Sequence, residues 1–335
     1  MSPTPSVAKT RTIDVHTHNF TPRWIDSLRN NPDENTQIIA THPHDVIDYR
    51  GAAIVRLAPE MTDFDLRIQA MDDNGIDIAV ISLTSPHVFW GSREASIQAA
   101  REINDDFAAA RKGYGDRIQW MASLPWQYPD AAITELHRAV DNGAAGICLL
   151  TNILGTPLTD EHFRPIWQAI EKSGLPAFVH PTPPFIDVSA MGMAEFGLAN
   201  TIGFTADTSL CFARMILTGF LDRFADLKLI ASHGGGTLPY LIARLDQMWA
   251  RGKSKQLIDN PPSTYLRRFY YDAIVYDQKT LNFLVESVGS ERILYGSDYP
   301  FLIQDMPGVK ARVEALPEMQ SRMILNDNAA NLFKL

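Results

Sequence analysis

Eight short runs rich in apolar and β-branched residues recur along this chain, and a helix-like stretch separates most of them from the next. The runs fall at 13–15, 76–83, 117–124, 145–150, 176–180, 227–233, 269–273 and 292–296. Helical spacing occupies 66–74, 93–112, 129–142, 159–173, 208–220, 239–251, 280–288 and 308–324. Glycines at 75, 113, 143 and 174 stand where helices should close. Strands alternating with helices in this number predict a (β/α)8 TIM barrel. Residues 20–66, rich in Pro, Asn and Asp, are too long for an ordinary connection. They read as an irregular inserted loop region after the first strand, lying over the active face with room for a small hairpin, and 181–203 reads as a second long loop. An open doubly wound sheet would want a glycine-rich phosphate turn after an early strand. None is present, and Gly234-Gly235-Gly236 lacks both the P-loop Lys-Ser/Thr and a dinucleotide spacing. With no internal repeat, residues 1–335 read as a single domain.

Composition narrows the partners. The 335 residues carry a formal net charge of −9 with no block of Lys or Arg, which argues against nucleic acid and against anionic membrane. The first eleven residues lack an apolar core, and no apolar run approaches the roughly 20 residues of a membrane span. The two cysteines, Cys148 and Cys211, lie in apolar runs and read as buried thiols of a reducing compartment. The expectation is a soluble cytoplasmic protein.

The chemistry gathers at strand ends. The first strand runs into His16-Thr17-His18, and side chains two apart on a strand share a face. Strand five ends at His180, strand six at His233, and Asp298 follows strand eight. Catalytic groups of such barrels sit at the carboxyl ends of the strands, and four of the nine histidines fall there. Ordinary polar residues solvating a barrel mouth would not often converge in this way. The pattern predicts one metal held by His16, His18, His180 and Asp298. Three imidazoles and a carboxylate suit Zn²⁺, with Mn²⁺ as the alternative. His233 then stands beside the metal as acid and base, and Asp298 is a second candidate for moving a proton. Asp272, ending strand seven, is placed to bond a ligand histidine. His87, in the loop after strand two, reads as solvated.

These motifs resemble the amidohydrolase superfamily: Asp14-Val-His-Thr-His18, His180-Pro, His233-Gly-Gly-Gly and Gly296-Ser-Asp298-Tyr-Pro300. Binuclear members carry a bridging lysine at the end of strand four. Here that run is Ile147-Cys-Leu-Leu-Thr151, so the resemblance implies a single metal. The finer likeness is to the decarboxylase branch, the aminocarboxymuconate semialdehyde and salicylate-type decarboxylases. It rests on His233-Gly-Gly-Gly-Thr-Leu-Pro-Tyr-Leu-Ile-Ala-Arg244, Met71-Asp-Asp-Asn-Gly-Ile-Asp77 and Tyr295-Gly-Ser-Asp-Tyr-Pro-Phe301. It implies non-oxidative removal of CO₂ from an aromatic or unsaturated carboxylic acid. It also implies that Arg56, with Arg50 as the spare, grips the substrate carboxylate. Arg244 would reach the neighbouring site of a homodimer. Phe20, Phe89, Trp90 and Phe185 are candidates for a ring-binding wall, with packing in the core as the alternative for each. Muconate enzymes place tryptophans after strand five, where this chain has Pro183-Pro184-Phe185 and Phe196. A metal-dependent hydrolase of a lactone, amide or carbon–carbon bond would use the same ligands and is the alternative. A barrel that only binds a small acid is the third.

Overall fold

The computed structural model describes residues 11–49, 51–182, 192–193, 195–252 and 257–335. Eight strands pair side by side in chain order: Ile13–His18, Ile78–Ser82, Ile118–Ser123, Gly146–Leu150, Ala177–His180, Leu229–Ala231, Tyr270–Asp272 and Ile293–Leu294. Every neighbouring pair is parallel. The segment after the eighth strand then returns to the first. Val15 N donates to Tyr295 O at 3.0 Å, Asp298 N to His16 O at 2.8 Å and His18 N to Tyr299 O at 2.8 Å. The sheet is thereby a (β/α)8 barrel without a free edge, ringed by helices such as Arg93–Tyr114, Pro129–Asp141, Arg164–Ser173 and Gln278–Val288.

The strands read as apolar runs because both their faces are buried. Val15, Val80, Met121, Cys148, Phe178, Ile230 and Leu294 form the inner cluster. Their chain neighbours Ala79, Ile81, Ile147, Leu149, Val179 and Leu229 join the outer one, with helix residues such as Leu136 and Ile166. The period is the two-residue alternation of a strand. The C-terminal helix, Asn328–Phe333, packs Ala329, Leu332 and Phe333 with the strand starts Ile13, Ile78 and Ala145. That end of the barrel is plugged, which leaves the carboxyl rim for chemistry.

The insertion is more regular than its composition suggests. It holds a helix, Pro22–Asn30, and an antiparallel sheet of Thr36–Ile39, Val46–Tyr49 and Ala52–Arg56. Thr21 caps the helix by accepting from Trp24 N at 3.3 Å, and Pro22 supplies the first-turn φ. Each strand is only four or five residues long, so its pairs Ile38-Ile39, Val46-Ile47 and Ile54-Val55 gain stability from one another and not from a local pattern. Other boundaries also move. The helix from Arg93 passes through Gly113 and ends at Tyr114, with Gly115 as its cap. The helix expected at 208–220 begins at Phe204 and stops at Leu217, before a turn Phe220–Arg223. The last helix is two, Met306–Glu314 and Glu318–Arg322, parted before Pro317. Arg50 and Pro183-Pro184-Phe185 lie outside the described residues. Among the described residues no helix is long and apolar enough to cross a membrane.

Candidate metal centre

Strand one delivers His16 and His18 to the rim, strand five delivers His180, and the turn after strand eight delivers Asp298. All four are buried, and one donor atom from each lies within 4.8 Å of the others. His16 Nε2 and His18 Nε2 stand 3.3 and 3.4 Å from Asp298 Oδ1. Two donors held tetrahedrally about 2.0–2.1 Å from one Zn²⁺ lie roughly 3.4 Å apart. His16 Nε2, His18 Nε2 and Asp298 Oδ1 are buried and have no hydrogen-bond partner in the protein. Buried polar atoms are rarely left so, and three of them converging on one point fit a cation. The approach of the strands depends on Gly296, where a Cβ would lie 2.7 Å from His16 Cβ.

The opposite nitrogen of each imidazole has a hydrogen-bond partner. His16 Nδ1 donates to Asp272 Oδ2 at 2.6 Å, which bears out the place foreseen for Asp272. His18 Nδ1 bonds Ser82 Oγ at 3.1 Å. His180 Nδ1 donates to Pro181 O at 2.8 Å, with Thr84 Oγ1 at 3.1 Å. Asp272 and the Pro181 carbonyl can only accept, so they hold a proton on Nδ1 of His16 and His180, and loss of the Nε2 proton would leave on that atom the lone pair a metal needs. Burial alone would depress His16, but Asp272 and then Asp298 demand positive charge between them and raise it to about 10. His18 is pushed down to about 4 by burial. Burial would raise Asp298, yet the neighbouring His16, His18 and His233 imidazoles hold it well below the carboxylate range.

His233 stands beside this group. Its Nε2 is 3.7 Å from Asp298 Oδ2, its ring is 4.9 Å from that of His16, and its side chain keeps 12 % exposure. His233 and Asp298 both hold left-handed backbone, with φ of 53° and 62°. Non-glycine residues seldom adopt it, and such outliers gather at functional sites.

The remaining residues divide. Arg56, at the end of the inserted sheet, and Arg244, on the helix Leu238–Arg251, are exposed, and among the described residues neither makes an ion pair. Trp90 is not part of an open wall: it is 1 % exposed, packs against Trp24 and donates its indole N–H to His87 O. Phe20 and Phe89 are core residues too. The half-buried rings nearest the clustered imidazoles are instead Phe301, 5.3 Å from His18, and Phe204, 6.2 Å from His180. His87 is not solvated but fully buried, and burial pushes it down to about 3.

Two buried groups escaped the sequence reading. Arg67 donates from Nε to Asn19 Oδ1 at 2.5 Å, from Nη1 to Thr17 Oγ1 at 2.6 Å and from Nη2 to His18 O. Its guanidinium lies 4.9 Å over the Tyr299 ring. Asp14 accepts from Ser297 Oγ at 2.5 Å, and burial raises it to about 7. A charged residue two positions before the His-x-His pair was the visible signal for Asp14. Arg67 looked like any helix arginine.

Comparison with known proteins agrees with this geometry. The family model described as Amidohydrolase matches residues 13–335. The 2-amino-3-carboxymuconate-6-semialdehyde decarboxylase of Dictyostelium discoideum is 31 % identical over 280 residues, covering 82 % of this chain and 77 % of that protein. A gamma-resorcylate decarboxylase from a Rhizobium species is 30 % identical over 290 residues, covering 81 % and 87 %. A crystal structure of 5-carboxyvanillate decarboxylase from Novosphingobium aromaticivorans, complexed with manganese and 4-hydroxy-3-methoxy-5-nitrobenzoic acid, superposes with a TM-score of 0.83 at 26 % identity, covering 98 % and 97 %. The chain belongs to the amidohydrolase family.

Proposed function

We propose that this protein is a metal-dependent, non-oxidative decarboxylase, a carboxy-lyase acting on an aromatic or unsaturated carboxylic acid. The observation that carries the reading is the convergence of three buried, unpartnered donor atoms beside a partly exposed histidine. Relatives named as decarboxylases of such acids favour CO₂ loss over hydrolysis. His16, His18, His180 and Asp298 would hold the cation. Bound there, a divalent metal supplies Lewis-acid stabilisation of the charge left when CO₂ departs. The carbon–carboxylate bond breaks, the electron pair stays on the ring or alkene carbon, and His233 Nε2 delivers the proton that carbon takes up. Solvent, which reaches the His233 side chain, restores that proton. Asp298, 3.7 Å away, would hold the His233 ring between steps.

Zn²⁺ is the metal the three-imidazole, one-carboxylate donor set favours, and Mn²⁺ is the alternative, supported by the manganese in the carboxyvanillate enzyme. Arg56 is assigned to the substrate carboxylate, which a guanidinium fork matches. Arg244 is assigned to the neighbouring site of a homodimer, and Phe185 and the half-buried Phe301 and Phe204 to the apolar part of the substrate. Residues 1–335 act as one domain in a reducing cytoplasm, a reading supported by two free, buried cysteines. The test is a panel of hydroxybenzoates, aminobenzoates and muconate semialdehydes with detection of released CO₂. Turnover of a lactone or amide with no CO₂ from any acid would hand the site to the hydrolase reading.

A further inference from the structure

Asp272 receives four hydrogen bonds, and they belong to two different parts of the site. Its Oδ2 accepts from His16 Nδ1 at 2.6 Å and from His233 N at 2.7 Å. Its Oδ1 accepts from Gly234 N at 3.1 Å and Ile274 N at 3.0 Å. The residue is fully buried, and although burial would raise it, His16 keeps it below the ordinary carboxylate range. One carboxylate therefore braces a metal-ligand imidazole and the backbone of the proton-carrying histidine at the same time. The second task is demanding, because the chain at 233–236 is left-handed at four successive residues, with φ of 53°, 61°, 78° and 63°. At Gly235 a Cβ would lie 2.7 Å from the Tyr271 ring, so the turn is pressed against strand seven, the strand that carries Asp272.

We propose that Asp272 is a positioning residue that couples the two halves of the site: it fixes the Nδ1–H tautomer of His16, and through the same oxygen it anchors the His233 turn. This deepens the proposed function and rests on His16 being a metal ligand. The chemistry makes the role specific to a carboxylate. All four incoming groups are N–H donors, two to each oxygen, and an amide offers only one acceptor end. If the NH₂ of an asparagine turned toward His16 and His233, His16 would have to accept at Nδ1 and carry its proton on Nε2, the atom that faces the metal. If it turned toward Gly234 and Ile274, two backbone donors would face a third, and the turn that holds His233 would open.

The experiment is Asp272→Asn, an isosteric change, on the full chain. Titration of the metal-free protein with Mn²⁺ should show affinity weakened about 10- to 100-fold, the range for loss of such a support. At saturating metal, kcat should fall while KM stays within twofold, because His233 is misplaced and the substrate groups are not. In the Zn²⁺-loaded wild type the His16 Nδ1 proton should appear as a slowly exchanging, low-field resonance, and the variant should lack it. Wild-type Mn²⁺ affinity and kcat in the variant would overturn the coupling. If the variant does not fold, the wild-type spectrum decides alone: a Zn²⁺-loaded His16 without a protected Nδ1 proton overturns it. Absence of any metal binding by the wild type would instead sink the proposed function itself.

Discussion

The four side chains assigned to the metal and the two arginines assigned to substrate differ in how much of their geometry the protein fixes by itself. Each ligand imidazole is buried, rides on a barrel strand and has its far nitrogen bonded to Asp272, Ser82 or Pro181. Arg56 and Arg244 are exposed on a small inserted sheet and an outer helix, and among the described residues no carboxylate meets either. Metal ligands must be placed to a fraction of an ångström before the ion arrives, which rigid strands and tied tautomers achieve. A guanidinium on a long flexible stem can be fixed by the anion it binds. Damage at the first set should therefore strike chemistry, and damage at the second should strike affinity.

The sharpest way to break that contrast is His180→Ala. Metal content measured by elemental analysis should fall from about one ion per chain toward zero. CO₂ release should drop by more than about a thousandfold, the loss of several kcal/mol of charge stabilisation. Exhaustive chelation of the wild type should do the same, and added Zn²⁺ or Mn²⁺ should restore it. A fully active, metal-free protein would end the division between the two regions. His233→Ala comes next. It should keep its metal, since His233 is outside the ligand group, yet lose about 10²- to 10⁴-fold in kcat. Unchanged kcat would move the proton to another group, with Asp298 first in line.

Arg67 tests whether rigidity behind the ligands matters as much as the ligands. Arg67→Met should remove the guanidinium's bonds to Asn19 Oδ1 and His18 O and leave Thr17 Oγ1 with only its bond to Tyr299 O, costing about 3 kcal/mol of stability. Urea unfolding would read it as a lower midpoint with an unchanged slope. An unaltered midpoint would mean that the strand carrying His16 and His18 holds its place without the fork.

What the bare sequence disclosed follows the same division. Buried parallel strands announce themselves as apolar runs, so Ile78–Ser82 and Gly146–Leu150 were placed within two residues at either end. His16, His18, His180 and Asp298 stand out in the sequence because each lies in or just beyond the carboxyl end of a strand, and the structure brings the four together. The inserted sheet shows in the sequence only as room for a small hairpin, because its four- and five-residue strands are stabilised by each other. Trp90 stays open between wall and core in the sequence because an aromatic after a strand can turn either inward or toward the rim, and only the contact with Trp24 decides. Arg67 and the Phe301–His18 contact were invisible for the same reason: 49 and 283 positions separate the partners that give them meaning. The His233-Gly-Gly-Gly run was noticed as a motif, but its physical cause, a left-handed turn clamped by Asp272, needed coordinates.

The smallest effects belong to the arginines, and they sharpen the contrast most. Arg56→Ala and Arg244→Ala should each raise KM about tenfold or somewhat more, the worth of one charged hydrogen bond, and leave kcat close to wild type. For Arg244 the assignment to the neighbouring copy makes a further demand. Mix Arg244→Ala chains with His233→Ala chains and let the dimers re-form. In a mixed dimer, the chain that lacks its own Arg244 keeps His233 and borrows an intact Arg244 from its partner, so that site is whole. The other site has lost both groups. Activity at substrate levels below KM should then exceed the sum of the two parent preparations. An arginine that serves its own site can give no such gain, because every site in the mixture still carries one lesion.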